Sequence, residues 1–207
     1  SILLLILLLS IYSFLNYANK QLLKNECAKA KVSVLFAGDS HVQMSLNDTL
    51  IRNSKNIASS GECYQFTFEK LKSYVSNNNT ITTVYLGFSY HNMSSYYDDF
   101  SLQTLPAFIT ILPAKDQLEL IRKYDIEIAE KVNPILFTAA SNLFQHSGKY
   151  SFSGGYLDIP AKKSISDSMI RQRILSQFYS EKNNLLPFSS YNISYLKKII
   201  LLCKTKN

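Results

Sequence analysis

The chain is 207 residues long, 46% apolar and 18% charged, and its 22 Lys and Arg against 15 Asp and Glu leave a net charge of +7. That length allows one substantial domain and a short tail, and the apolar content excludes a disordered chain. Six Gly and five Pro exclude collagen-like and Gly/Pro-rich low-complexity chains, and three Cys exclude a disulfide-stapled mini-protein. The basic residues are scattered apart from pairs such as Lys162-Lys163 and Lys197-Lys198. They read as solvated surface, and no nucleic-acid partner is expected.

The first element is an apolar run from Ser1 to Leu15, with no charge before Lys20. Its length suits a signal-peptide core or, with a few more residues, a membrane helix. Tyr17-Ala18-Asn19 is a poor cleavage site, so residues 1–19 are expected to be an uncleaved single-pass anchor. A buried core helix is the competing reading. Lys20, Lys24, Lys29 and Lys31 follow the run and argue for a cytoplasmic flank. A long folded domain can nevertheless translocate, and an extracytoplasmic domain is expected. Residues 20–31 read as a polar connector.

From residue 32 the pattern alternates. Val32–Ala37 is a short buried strand, Val42–Ile51 a helix, Asn56–Ala58 a strand, Phe66–Val75 a helix and Ile81–Leu86 a third strand. Strands and helices alternating within sixty residues predict a parallel α/β sheet. Phe88–Pro106, rich in Ser, Tyr and Asp, reads as a long loop. Leu118–Ala140 reads as helix broken at Asn133-Pro134, and Ser147–Pro160 as loop or hairpin. Ser166–Lys182 and Asn192–Lys204 read as helices capped by Ser166 or Asp167 and by Ser189 or Ser190. The chain then stops where an α/β fold would enter its next strand, so it is expected to continue past Asn207.

Ligands of open α/β sheets bind at the carboxyl ends of strands. Three such ends carry chemistry here: Gly38-Asp39-Ser40-His41, Ser59-Ser60-Gly61, and Gly87-Phe88-Ser89-Tyr90-His91-Asn92. A Ser in a strand-to-helix turn points its hydroxyl into the crevice, and amide N–H groups beside it favour a developing oxyanion. Asp39 is expected to fix the turn through an Asx-type hydrogen bond, and His41 to line the pocket or face solvent. His91 is a substrate contact or a loop residue, and His146 a structural one. Ser40 has a bland reading too, as a helix cap.

Val34-Leu-Phe-Ala-Gly38-Asp39-Ser40-His41 resembles the first block of the SGNH (GDSL-like) hydrolase superfamily. The resemblance covers roughly residues 32–92 and, more loosely, the final helix. It implies a three-layer, flavodoxin-like parallel sheet with helices on both faces over residues 32–207. It makes Ser40 the nucleophile of an esterase or O-acyltransferase. Asn56-Ile-Ala-Ser-Ser-Gly61 is similar to the second block, so Gly61 N–H inherits an oxyanion role. The third block, Gly-x-Asn-Asp in the family, departs here: Ser89 stands at the Asn position, with His91 and Asn92 close by as substitutes. The family's Asp-x-x-His, whose His is the general base, is not found, since none of His41, His91 and His146 stands three after an Asp. The pair is expected downstream of Asn207; without it Ser40 is a poor nucleophile.

No cofactor or metal is expected. Cys27, Cys63 and Cys203 lack metal-ligand spacing, and Asp98-Asp99 lacks the spacing of a calcium loop and reads as solvated. A Cys63–Cys203 disulfide is open outside the cell, without support from spacing. Tyr96-Tyr97 and Tyr150–Tyr156 stack on sugar rings or, more in keeping with tyrosine-rich loops, cover a small core of their own. Two functions follow. One is a membrane-anchored enzyme acting on an acylated cell-envelope glycan or a small ester. The other is a catalytically degenerate envelope binding or assembly protein of the same fold.

Overall fold

The computed structural model describes residues 2–123, 128–144, 153–158 and 166–205. The fold is mixed α/β, a small three-stranded parallel sheet among many helices, with one N-terminal apolar helix. The strands are β1 (Val34–Ala37), β2 (Ser54–Asn56) and β3 (Thr83–Leu86), in the order β2-β1-β3. Val34 pairs with Ser54 on one side and Thr83 on the other. Alternation along β1 divides its side chains. Leu35 and Ala37 join the main core, and Val34 and Phe36 pack with Val42 and Ala58 in a second cluster.

Helix α1 (Ile2–Lys29) runs without a break into the expected connector at residues 20–31 and takes in all of it up to Lys29. Leu15, Asn19, Leu23 and Cys27, four apart, form its buried stripe, while Lys24 and Lys29 face solvent. This stripe lies on α3 (Tyr64–Asn77), and Asn19 donates to the Ala139 carbonyl at 2.9 Å. Packing thus makes helix of residues that composition alone marks as a spacer. The other end of α1 is bare, with Ile2 and Leu3 79% and Phe14 65% exposed. This helix is long and apolar enough to cross a membrane.

Helix α2 (Ser40–Ser45) is shorter than its apolar spacing predicts. Asn56 accounts for its end: its amide donates to the Val42 and Leu46 carbonyls at 3.0 and 2.8 Å. Asn47 then turns the chain by accepting from Thr49 N. β2 lies two residues before the expected strand, although Ile57 N still donates to Phe36 at 2.8 Å.

The expected loop at Phe88–Pro106 is instead helix, α4 (Tyr90–Met93) and α5 (Tyr96–Phe108), followed by a 3-10 turn at Ile109–Ile111. Burial of Tyr97, Leu105 and Phe108 outweighs the loop-like composition, and Phe108 stacks on Phe66 of α3 at 4.7 Å between centroids. α6 (Ala114–Lys123) and α7 (Ile128–Phe144) follow, and Pro134 lies inside α7 rather than at a break. α8 (Asp167–Phe178) is capped by Ser166, which accepts from Met169 N. α9 (Ser190–Thr205) packs on α3, and Ser189 accepts from Asn192 N at 3.0 Å. His146 and most of Ser147–Pro160, including Tyr150, lie outside the described residues; Ser153–Asp158 contains no strand.

Candidate functional site

The chain leaves β1 for β2 on one side of the sheet and returns to β3 on the other, which opens a crevice at the carboxyl end of β1. The three strand ends meet there. Ser59 N donates to the Gly38 carbonyl at 3.2 Å and Gly87 N to that of Ala37 at 2.8 Å. Gly38 has φ +145°, and a Cβ on it would stand 2.9 Å from Val42 Cγ2 and 3.3 Å from Gly87 Cα. Any side chain at this position would push β1 away from β3.

Asp39 is the centre of the site. Its Oδ1 accepts from His41 N at 3.0 Å, the expected Asx-type cap of α2, and lies 3.2 Å from His41 Nδ1. Its Oδ2 lies 2.9 Å from His91 Nε2 and accepts from Asn92 Nδ2 at 2.8 Å and Tyr97 OH at 3.0 Å. Burial works to raise the Asp39 pKa. Hydrogen bonds from His41, His91 and Asn92 together outweigh it and hold the carboxyl well below the usual range. The same hydrogen bond raises the pKa of His41, against the opposing effect of burial.

Of the residues singled out in the sequence, Asp39, His41, Ser89, His91 and Asn92 come together. Ser89 Oγ lies 2.7 Å from His91 Nδ1 and 2.6 Å from Asn92 Oδ1. The two imidazole rings are 4.8 Å apart; that of His41 is open to solvent and that of His91 buried. Ser40 opens α2, half-buried, and among the described residues its hydroxyl makes no hydrogen bond. The Gly61 carbonyl accepts from Thr104 Oγ1 at 2.9 Å.

Three features escape the sequence reading. Tyr97 belongs to the site, donating to Asp39 rather than covering a loop; its helical spacing to Leu105 and Phe108 was the available signal. Asp98 accepts from Ser189 Oγ at 2.7 Å and is not simply solvated. A buried ion pair lies behind the turn after β2. Lys70 Nζ meets Glu62 Oε2 at 2.5 Å and Ser59 Oγ at 3.2 Å, and also donates to the Ile57 carbonyl. Burial pushes Glu62 up to about 7 against the attraction of Lys70, and lowers Lys70 itself.

Segment Ser153–Asp158 lies over the same turn, with Gly155 N donating to Ala58 and Leu157 N to Gln43. Gly154 has φ +76°, and a Cβ there would stand 2.2 Å from the Ile57 oxygen, so only glycine fits. The three cysteines are free thiols, which removes the Cys63–Cys203 disulfide; burial pushes the Cys63 thiol up to about 12.

Searches with the whole chain find no matching family model, curated protein or solved structure.

Proposed function

We propose that this chain is a membrane-anchored serine esterase or O-acyltransferase of SGNH type, acting on an acylated cell-envelope glycan through an acyl-enzyme. In this reading residues 32–207 form a three-layer, flavodoxin-like domain on the extracytoplasmic side, and the bare end of α1 is its single-pass anchor. The observation that carries the proposal is the position of Ser40. It is half-buried, its hydroxyl makes no hydrogen bond among the described residues, and it opens α2 just after the central strand, at the crevice where the sheet order reverses.

Ser40 Oγ attacks the ester carbonyl carbon and gives its proton to a histidine base; collapse expels the alcohol, which takes that proton. Water or a glycan hydroxyl then receives the acyl group, giving hydrolysis or transfer. Ser40 N–H and Gly61 N–H are the oxyanion donors proposed from the resemblance, with Ser89 or Asn92 as the third. In this reading the base is the histidine of the family's Asp-x-x-His, a pair that residues 1–207 do not contain.

Labelling of the full-length protein with a fluorophosphonate tests this. The expected result is an adduct on Ser40 that is absent in Ser40→Ala. An unlabelled wild type supports the second reading, a degenerate binding or assembly protein, which is favoured by one observation: no described histidine hydrogen-bonds Ser40 Oγ. For the anchor, carbonate extraction is expected to leave the protein in the membrane pellet, and release into the supernatant refutes it.

A further inference from the structure

We propose that Asp39, His41 and His91 form a binding site for one divalent late first-row metal ion, with Zn2+ as the reference ion. The donor atoms all lie within 4.8 Å of one another. Two imidazole nitrogens flank one carboxylate, His41 Nδ1 at 3.2 Å from Oδ1 and His91 Nε2 at 2.9 Å from Oδ2. Ligands about 2.0–2.1 Å from a tetrahedral zinc lie about 3.4 Å apart. Both His–Asp separations are close to that, and the exposed His41 ring, 71% accessible, is free to turn inward.

The contacts around His91 suit a metal-ligating ring. Its Nε2 faces Asp39 Oδ2 at 2.9 Å, and its other nitrogen, Nδ1, is held by Ser89 Oγ at 2.7 Å, which is itself 2.6 Å from Asn92 Oδ1.

A bound metal ion is compatible with each of these contacts. His91 Nε2 ligates, and its Nδ1–H donates to Ser89, the outer hydrogen bond that metal-bound histidines make. Asn92 and Tyr97 hold the ligating carboxylate from behind. Ser89 stands at the N-cap position of α4 yet makes no capping bond, which leaves its hydroxyl free for this role. Three protein ligands leave a fourth position open beside Ser40 for a water, carboxylate or carbonyl oxygen. The site goes beyond the acyl-transfer reading and does not depend on it.

The test uses tag-free, metal-stripped full-length protein in detergent, dialysed against Zn2+ and separately against Co2+. The expected result is one ion per chain with the visible bands of tetrahedral Co2+. His41→Ala, at an exposed ring, is expected to lose stoichiometric binding, and Ser89→Ala to weaken it about tenfold. Ser40→Ala is expected to keep the ion, so loss of acylation and loss of metal are separate results. Failure of the wild type to bind, or equal binding by wild type and His41→Ala, overturns the proposal.

Discussion

Asp39 and Glu62 are carboxylates on neighbouring loops, after β1 and β2, and are 3% and 2% exposed. Burial disfavours the charge on both, yet their pKa values move in opposite directions. Asp39 is ringed by the polar groups of four side chains and one backbone amide, reached from α2, α4 and α5. Glu62 has Lys70 as its main partner, and Lys70 is as deeply buried as the carboxylate it faces. Burial therefore does not decide the state of a carboxylate; the number of donors that the fold brings to it does. The loop rich in donors carries the candidate chemistry, and the loop held by one ion pair supports it from behind.

Breaking the ion pair tests the structural half of this contrast most severely. Lys70→Ala leaves Glu62 buried without its countercharge and is expected to cost about 3–5 kcal/mol in urea unfolding of the detergent-solubilised chain. A loss near zero would mean that water reaches the pair. Asp39→Ala removes one carboxylate from several donors. The expected cost is smaller, about 2–3 kcal/mol, because part of this edge is open to water that can take their place. Equal losses for the two variants would erase the distinction between the loops.

The pH dependence sharpens it further. Glu62 is raised in the folded state from 4.5 to about 7, so the native protein binds its proton more readily than the unfolded chain. Its contribution to stability is complete below 4.5 and is lost as the pH rises to about 7. Asp39, lowered from 3.8, contributes above that value and loses its contribution only in stronger acid. Lys70, lowered from 10.5 by burial, acts with the opposite sign to Glu62 from its own lowered value upward. Urea midpoints measured from about pH 5 to about pH 7 are expected to show a falling component in wild type that Glu62→Gln lacks. The smallest change is at the proposed nucleophile. Ser40→Ala removes no hydrogen bond among the described residues and is expected to shift stability by less than about 0.5 kcal/mol. A larger loss would make Ser40 a structural residue of the turn.

The three strands, α3 and α9 were legible because apolar spacing and turn residues specify them locally. The helices over residues 90–108 were not, since Tyr, Ser and Asp look like loop until Tyr97, Leu105 and Phe108 find the core. The continuation of α1 was hidden in the same way, because its buried stripe of Leu15, Asn19, Leu23 and Cys27 is meaningful only against α3 and α7. At the site, Gly38–His41 and the residues after β3 stood out as strand-end clusters, but nothing in their spacing indicated a shared carboxylate.

What the amino-acid order determined unaided is the apolar N-terminal helix, the strand–helix rhythm and a serine at the end of the first strand. These depend on neighbours a few residues apart, where side-chain periodicity and turn chemistry act. Only the tertiary structure decided which donors face Asp39. His91, Asn92 and Tyr97 lie 52, 53 and 58 residues along the chain from it. They reach it because β1 is the central strand and α4 and α5 fold back over its end, an outcome of strand order and core burial that no local pattern encodes.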